Sequence, residues 1–298
     1  MKKLLFDGIA RAKQSGPFWM VMAGLTFAVM GVFVKLGSQT FSTAELVFYR
    51  CAAGLIGIGI IVTLRGQSLK VSRTSLKLHL SRSISGFIAL MLYFYAISHL
   101  PLATAVTLNY TSPIFFVLVL TLQQRQWPHW NQICSVLLGF AGVVLLLRPT
   151  ISNDQWLAGL LGLGSGVLAS IAYLNVSELG KAGEPEWRTV FYFSLVSTLG
   201  AACWMLFQPQ ALHWPSLHGW VIVICMGVAA TLAQLSMTRA YRKGRSLVVV
   251  SLAYLTVLFS TLFSWGIWGD RLSVLSLLGM LLIAGAGIWA GATRLQRG

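Results

Sequence analysis

Residues 96–122 read AISHLPLATAVTLNYTSPIFFVLVLTL, a predominantly apolar stretch with one proline near its start and a second inside it. A helix needs about 20 such residues to cross the hydrocarbon core of a membrane. A shift of 144 residues superimposes the stretch on residues 240–266 and aligns six identical pairs: Ala96/Ala240, Val106/Val250, Leu108/Leu252, Tyr110/Tyr254, Phe115/Phe259 and Leu118/Leu262. The stretch therefore predicts a membrane-spanning helix that occurs twice in the chain.

The rest of the chain has the same apolar character. Hydrophobic residues make up 56% of the 298 residues and charged residues only 10%, whereas a soluble protein carries about 25% charged residues. The sequence predicts an all-α membrane protein without a soluble domain. Its ten transmembrane segments are 17–36, 43–64, 80–99, 101–122, 129–148, 156–180, 187–207, 217–239, 246–268 and 273–293.

The ten segments divide into two related halves, residues 1–150 and 151–298. A shift of 143 residues places Leu36-Gly37 over Leu179-Gly180 and Phe48-Tyr49 over Phe191-Tyr192, and it keeps the order of the segments. Because each half has five helices, the second half must enter the membrane from the opposite side. Inverted repeats of this kind favour alternating access around a site near the midplane.

The positive charges predict how the chain is oriented. The net charge is +15, and 18 of the 22 Lys and Arg residues fall at the two ends and in alternate connections, against two in the remaining connections. This bias predicts cytoplasmic termini in a cytoplasmic (inner) membrane. The basic residues are scattered between apolar runs, so we interpret the lipid bilayer, and not a nucleic acid, as the partner.

Four stretches together resemble a known family. They are FVKLG (33–37), FYRCAAGLIGIGIIVTLRG (48–66), residues 96–122 and LLGFAGVVLLLRP (137–149). In order and spacing they resemble the ten-helix EamA branch of the drug/metabolite transporter superfamily. The resemblance implies a secondary transporter of small metabolites, amino acids or related amphiphilic compounds, often in the export direction. The chain departs from the family at 123–126, where QQRQ replaces a Gly-Glu pair.

Charged residues inside the predicted helices are candidates for function, because a charge is costly in lipid. Arg50 lies about two turns into the second segment; it could bind an anionic group, form an outer gate with Glu45, or serve only the structure. Lys35 and Glu45 lie near outer helix ends and are candidate gating residues, with an interfacial position as the alternative. The 143-residue shift places Lys35 over Glu178.

Polar and aromatic residues inside the segments are candidates for the wall of a cavity. In the fourth segment they precede Pro113, which removes a backbone donor and is a candidate helix break. The ninth segment lacks a matching proline, so we expect the two halves to differ in flexibility. The alternative for each candidate is a hydrogen bond between helices. The candidates are Tyr93, Asn109, Tyr110, Thr111, Tyr173, Asn175, Gln234 and Tyr254.

The sequence shows no signature of a catalytic, metal or cofactor site. A Walker A loop and an HExxH motif are absent, and the five histidines lie near the ends of predicted segments. A small-molecule solute is therefore the expected ligand, with an intramembrane enzyme or a lipid-handling protein as the alternative function. The spacings Gly162-xxx-Gly166 and Gly287-xxx-Gly291 predict close helix packing, with a homodimer contact as the alternative. The driving force, whether proton coupling, exchange or facilitated diffusion, stays open.

Overall fold

The computed structural model describes residues 15–149, 155–207, 214–269 and 273–292. The basic residues of both termini, Asp270 and Arg271 lie outside these residues. The described chain is all-helical, as predicted, and its helices are α1 (Gly16–Gly37), α2 (Thr43–Leu64), α3 (Arg73–His99), α4 (Leu102–Asn109), α5 (Ser112–Gln124), α6 (Trp130–Leu147), α7 (Trp156–Lys181), α8 (Glu186–Leu206), α9 (Leu217–Lys243), α10 (Ser246–Leu252), α11 (Leu255–Trp268) and α12 (Val274–Ala292).

These twelve helices of the described chain form ten membrane spans. Helices α4 and α5 share one span, Leu102–Gln124, and α10 and α11 share another, Ser246–Trp268. Nine spans are long and apolar enough to cross a membrane, and α12 supplies a tenth, slightly shorter apolar helix. The predicted fold class, ten helices in two inverted five-helix repeats, is confirmed.

Helix contacts follow the two-fold relation between the halves. Helix α1 packs against α9 and α11, and its counterpart α7 packs against α3 and α5 in the same way. Helices α2 and α8, which correspond to each other, pack together, and so do α6 and α12. The two halves therefore meet along most of their length, and any cavity near the midplane lies between them.

Helix α3 corrects the prediction for the third segment. The segment was expected to begin at residue 80, but α3 begins at Arg73, where the Ser72 side chain accepts a hydrogen bond from the Ser75 backbone. Polar residues in the first turns concealed this start, because hydropathy marks the lipid-facing part of a helix and not its whole length. Arg82, one of the 18 basic residues assigned to the ends and alternate connections although it opens segment 80–99, therefore lies well inside the helix.

Helix breaks occur in both halves, although only the first half has a proline there. Span four is interrupted at Tyr110 and Thr111, just before Pro113, and span nine is interrupted at Ala253 and Tyr254 without any proline. At both places an amide bonds three residues back, Thr111 to Leu108 at 3.2 Å and Thr256 to Ala253 at 3.1 Å. The halves are thus broken at equivalent depths, and the proline is not required for the break.

Small residues allow the close approach that these contacts need. A Cβ added at Gly16 would lie 2.3 Å from the Cα of Gly244, which joins α1 to the end of α9. Gly162 and Gly166 of α7 face the broken span, since a Cβ at Gly166 would lie 2.9 Å from the Leu108 carbonyl oxygen. The predicted close packing of these two glycines occurs within the chain, so their shared face is already occupied.

The outer surface of the bundle is apolar. Large side chains that a soluble protein would bury are exposed on most spans, among them Ile56, Leu160, Val228, Leu232 and Leu281. Such a surface is stable only against lipid.

Candidate functional site

A cavity of about 730 Å3 lies between the two halves. Its floor includes Met20 and Arg82 from the first half and Phe193 and Met237 from the second. Its walls continue to residues at one set of helix ends: Leu102 at the start of α4, Leu147 at the end of α6, and Ser264 and Ser276 of the second half. The cavity therefore opens at this end of the bundle, which we call the mouth.

The opposite end, which we call the basic end, is formed by loops 65–72, 182–185 and 244–245. Here the two halves are tied together by side chains. Arg188 of α8 donates to the Ser68 carbonyl oxygen at 2.8 Å and pairs with Glu184 at 2.7 Å. The Tyr192 hydroxyl donates to the Leu69 carbonyl oxygen at 3.0 Å. These contacts join loop 65–72 of the first half to the second half.

A buried histidine strengthens this connection. His79 of α3 is fully buried, stacks on the Tyr192 ring at 4.7 Å, and places Nε2 within 3.5 Å of the Glu184 carboxylate. Burial by itself raises the pKa of the Glu184 carboxyl, but hydrogen bonds from Arg188 and Ser75 and the Arg188 charge outweigh it, so the net pKa is lowered. Glu184 is therefore ionised at neutral pH, and its pairing is lost only as the pH falls through this lowered value.

A second group of contacts closes the basic end between α1 and α9. Glu186 pairs with Arg242 at 3.1 Å and lies 3.8 Å from Arg239. The Arg239 guanidinium group lies 4.4 Å above the ring of Trp19, which belongs to the first half. Together with the close approach of Gly16 and Gly244, these contacts join the two halves at the basic end of the described chain.

Two arginines project into the cavity at different depths. Arg82 lies near the floor and is 3% exposed; its Nη2 donates to the Gln234 side-chain oxygen at 3.3 Å, and its guanidinium group lies 4.2 Å above the Phe193 ring. Arg50 is half-buried and lies nearer the mouth, two turns into α2. Among the described residues that line the cavity, no Asp or Glu is present.

The pattern of the EamA-like transporter family matches the chain twice, at residues 14–148 and again at 156–290. This protein belongs to the EamA-like transporter family. The resemblance read from the four motifs is confirmed, and the double match agrees with the inverted repeat.

Relatives of this EamA-like transporter carry small molecules. The chain is 32% identical to a pseudopaline exporter of Pseudomonas aeruginosa, over 94% of this chain and 97% of the relative. It is 26% identical to a riboflavin transporter of Vibrio cholerae, over 85% of each protein. A solved crystal structure with 18% sequence identity superimposes with a TM-score of 0.82 over 94% of this chain and 99% of the other, and so has the same fold. The protein is a small-molecule membrane transporter and not an enzyme.

Half of the candidate residues of this EamA-like transporter line the cavity. The aromatic wall is formed by Tyr93, Tyr110 and Tyr173, and amide groups are offered by Asn109, which also donates to the Ser165 hydroxyl at 3.1 Å, and by Gln234. Arg50 completes this set. Hydroxyl groups of α11 that had not been singled out for the cavity, Ser264 among them, face the same space.

Three predicted cavity residues lie elsewhere, for identifiable reasons. Asn175 donates to the Ser81 hydroxyl at 2.8 Å and bonds α7 to α3. The Thr111 hydroxyl donates a hydrogen bond to the Leu108 carbonyl oxygen at 2.5 Å, within the broken span. Tyr254 is fully buried in a cluster with Val143 and Ile283, where α11 meets α6 and α12. In each case the alternative, a contact between or within helices, describes the position better.

The candidate gating residues also lie outside the cavity lining. The Glu45 carboxylate accepts from the Ser42 backbone N–H at 2.7 Å and so forms part of the capping box at the start of α2. The Lys35 ammonium group lies 3.8 Å above the Trp268 ring, which joins α1 to α11 at the mouth. Pro113 lies in the first turn of α5, directly after the helix break.

Arg82 is the functional candidate that the sequence reading missed. Its place in a polar stretch suggested a loop charge, but it lies ten residues into a helix capped by Ser72. A serine followed by a long run without glycine or proline, from Ser72 to Ser85, was the available signal.

Proposed function

We propose that this transporter exports a small metabolite, an amino acid or a related amphiphilic compound, from the cytoplasm across the cytoplasmic membrane by alternating access. One observation carries the proposal: the cavity between the halves is open at the mouth and closed by cross-half contacts at the basic end. The positive charge of the basic end supports its assignment to the cytoplasm. In this orientation the structure corresponds to an outward-open state.

The cycle then requires the basic end to open and the mouth to close. Residues 1–150 and 151–298 would act as the two moving halves, in line with the two-fold relation of their helices. The helix breaks at 110–111 and 253–254 lie at equivalent depths and give each half a point where a span can bend. Lys35 over Trp268 is placed to help close the mouth, because it already joins the two halves there.

The export direction is supported by the relative named as a pseudopaline exporter, but the identity of its solute is not carried over. Asn109 and Gln234 offer both donors and acceptors to the solute, and Tyr93, Tyr110 and Tyr173 offer aromatic faces. This lining suits a polar molecule with an apolar part.

The proposal is tested by comparing the metabolites released from cells. Cells that express the wild-type transporter should release at least one metabolite that cells with Arg50→Ala retain, because Arg50 lines the cavity. Arg65→Ala is the matched control, since Arg65 is exposed at the basic end and outside the cavity. Mass spectrometry of medium and cell extracts gives the measurement. Identical release profiles for wild type and Arg50→Ala, at equal expression, would contradict the proposal.

The closed basic end makes a second prediction. Glu184→Gln removes the negative charge that pairs with Arg188 and lies within 3.5 Å of His79. The contacts that join the two halves at the basic end are then weaker, so this end should open more often. Spin labels at Gln67 and Ala182, exposed positions in the two halves, should report a larger population of long distances by pulsed electron paramagnetic resonance. The labels are introduced in a background in which the four native cysteines are replaced by serine.

Glu178→Gln is the control for this measurement. Glu178 pairs with Lys181 at 2.8 Å within α7 and does not connect the halves, so its distance distribution should match that of the labelled parent. Equal distributions for Glu184→Gln and Glu178→Gln would show that the Glu184 contacts do not hold the basic end closed.

A further inference from the structure

The charges of the cavity are unbalanced. Arg50 and Arg82 line it, and no acidic side chain does so among the described residues. The described acidic residues lie elsewhere: Glu45 at the start of α2, and Glu178, Glu184 and Glu186 at or near the basic end. The cavity therefore carries two positive charges that the described protein does not neutralise.

Arg82 is held in place but is not saturated. Gln234 accepts from Nη2, Phe193 covers one face of the guanidinium group, and Nε has no partner in the part of the chain that the structure describes. Gly86, one turn further along α3, leaves the room that the group occupies, because a Cβ there would lie 2.3 Å from Nη1. A guanidinium group has five N–H donors, so most of the binding capacity of Arg82 is free for a ligand.

An arrangement of this kind does not serve stability. A buried charge without a counter-charge is destabilising, and a well-packed apolar side chain in its place is often neutral or stabilising. The cost becomes larger when the cavity closes around its solute and water leaves. A solute with negative charges of its own offsets this free-energy cost by pairing with the guanidinium groups. Two arginines require two negative charges on the solute.

We propose that the solute is an organic dianion whose two oxyanionic groups, carboxylate or phosphate, bind Arg82 near the floor and Arg50 nearer the mouth. The planar donor fork of arginine matches the oxygens of both groups. The remainder of the solute contacts Tyr93 and Tyr173, and neutral solutes are rejected because they leave both arginines unpaired. This inference rests on the proposed function, in that the cavity is taken as the transport site.

Binding to the purified transporter tests the inference without requiring transport. The probes are L-Glu-L-Glu, whose three carboxylates and one ammonium group leave a net charge of −2 at neutral pH, and glucose 1,6-bisphosphate, whose two phosphates each carry about −1.5 to −2 charges. L-Gln-L-Gln and glucose are the corresponding compounds without net charge. At millimolar concentration, at least one anionic probe should raise the thermal unfolding midpoint, because a ligand that binds only the folded state stabilises it. The neutral partners should leave the midpoint unchanged. The response to L-Glu-L-Glu compared with the bisphosphate distinguishes a carboxylate site from a phosphate site.

Variants assign the effect to the two arginines. Arg82→Gln and Arg50→Gln should each lose most of the shift, whereas Arg65→Gln, at an exposed arginine outside the cavity, should keep it. Gly86→Ala guards against misfolding as an explanation. It keeps both charges and improves helix propensity, yet it displaces the Arg82 guanidinium group and should also weaken the shift.

Three results would overturn the inference: no shift with either anionic probe, an equal shift with L-Gln-L-Gln, or a full shift in Arg82→Gln. The proposed function fails separately, through identical release profiles in the metabolite comparison. A protein that exports a neutral metabolite and ignores both anions would refute the dianion site and leave transport intact. A protein that binds an anion but alters no release profile would support the dianion site and contradict the proposed transport function.

Discussion

Replacing Arg82 with methionine is expected to abolish solute efflux and, in the same variant, to raise the melting temperature of the empty transporter. The two effects have one cause. Arg82 is 3% exposed, has no acidic partner among the described residues, and bonds only to the neutral side chain of Gln234. Its charge therefore destabilises the empty protein and becomes favourable only when an anionic group of the solute binds to it.

The expected sizes follow from what is known of buried charges. Removal of one partner from a buried charge pair weakens binding by about 2–5 kcal/mol, which corresponds to roughly a 30-fold loss or more. Replacement of buried ionic groups by apolar side chains of similar volume stabilises proteins by about 1–4 kcal/mol in favourable cases. Methionine is flexible enough to fill the space above Phe193, where its sulfur can contact the ring. Gln234 borders the open cavity and can bond to water when Arg82 is gone.

Both quantities are measured on the same preparations. Intrinsic fluorescence during heating gives the melting temperature of the solute-free transporter in detergent, and mass spectrometry gives the release of the solute from cells. Arg65→Met is the control, because Arg65 is exposed at the basic end and should change neither quantity. If Arg82→Met melts well below the wild type, Arg82 is a structural residue and the loss of efflux would say nothing about binding.

The fold could be predicted from the sequence because lipid imposes a simple rule. A membrane span must be apolar for about 20 residues, and ten segments satisfied this condition. The odd number of helices in each repeat then determined the inversion. The ends of the helices were harder to predict from the sequence than their number, and α3 is an example. Its first turns from Arg73 are polar and lie beyond the lipid-facing part of the helix, so hydropathy placed the start at residue 80.

The cavity was predictable only in part, because the side of a helix that faces a cavity depends on its neighbours. Tyr110 and Tyr254 are equivalent under the 144-residue shift and both lie at helix breaks. Tyr110 lines the cavity, whereas Tyr254 is buried where Gly139 of α6 leaves room for its ring. The sequences around the two tyrosines differ, but they do not show which ring faces the cavity, because that depends on the helices packed against each one. Arg50 was found because a charge two turns inside a span is conspicuous. Arg82 was missed because it is the third residue of predicted segment 80–99, where a charge looks like an ordinary helix-end residue.

Efflux of a dianion is expected to be driven by the membrane potential. A negative interior expels negative charge, and the transfer of one charge is worth about 2.3 kcal/mol per 100 mV. For two charges this is about 4.6 kcal/mol, or roughly a 2,000-fold concentration ratio at 100 mV. A proton-relay carboxylate is then unnecessary, which agrees with a cavity lining that has no Asp or Glu among the described residues.

Proteoliposomes test this coupling with the anionic probe that binds. Vesicles loaded with labelled L-Glu-L-Glu, or with the bisphosphate if that is the probe bound, receive a potassium diffusion potential through valinomycin. A negative interior should speed efflux and a positive interior should slow it, for either orientation of the transporter, because the charge carried per cycle belongs to the solute. Vesicles with Arg82→Met give the background leak. An efflux rate that does not change with the membrane potential but changes with a pH gradient would show proton coupling instead. The group that binds the transported proton would then lie outside the described lining of the cavity.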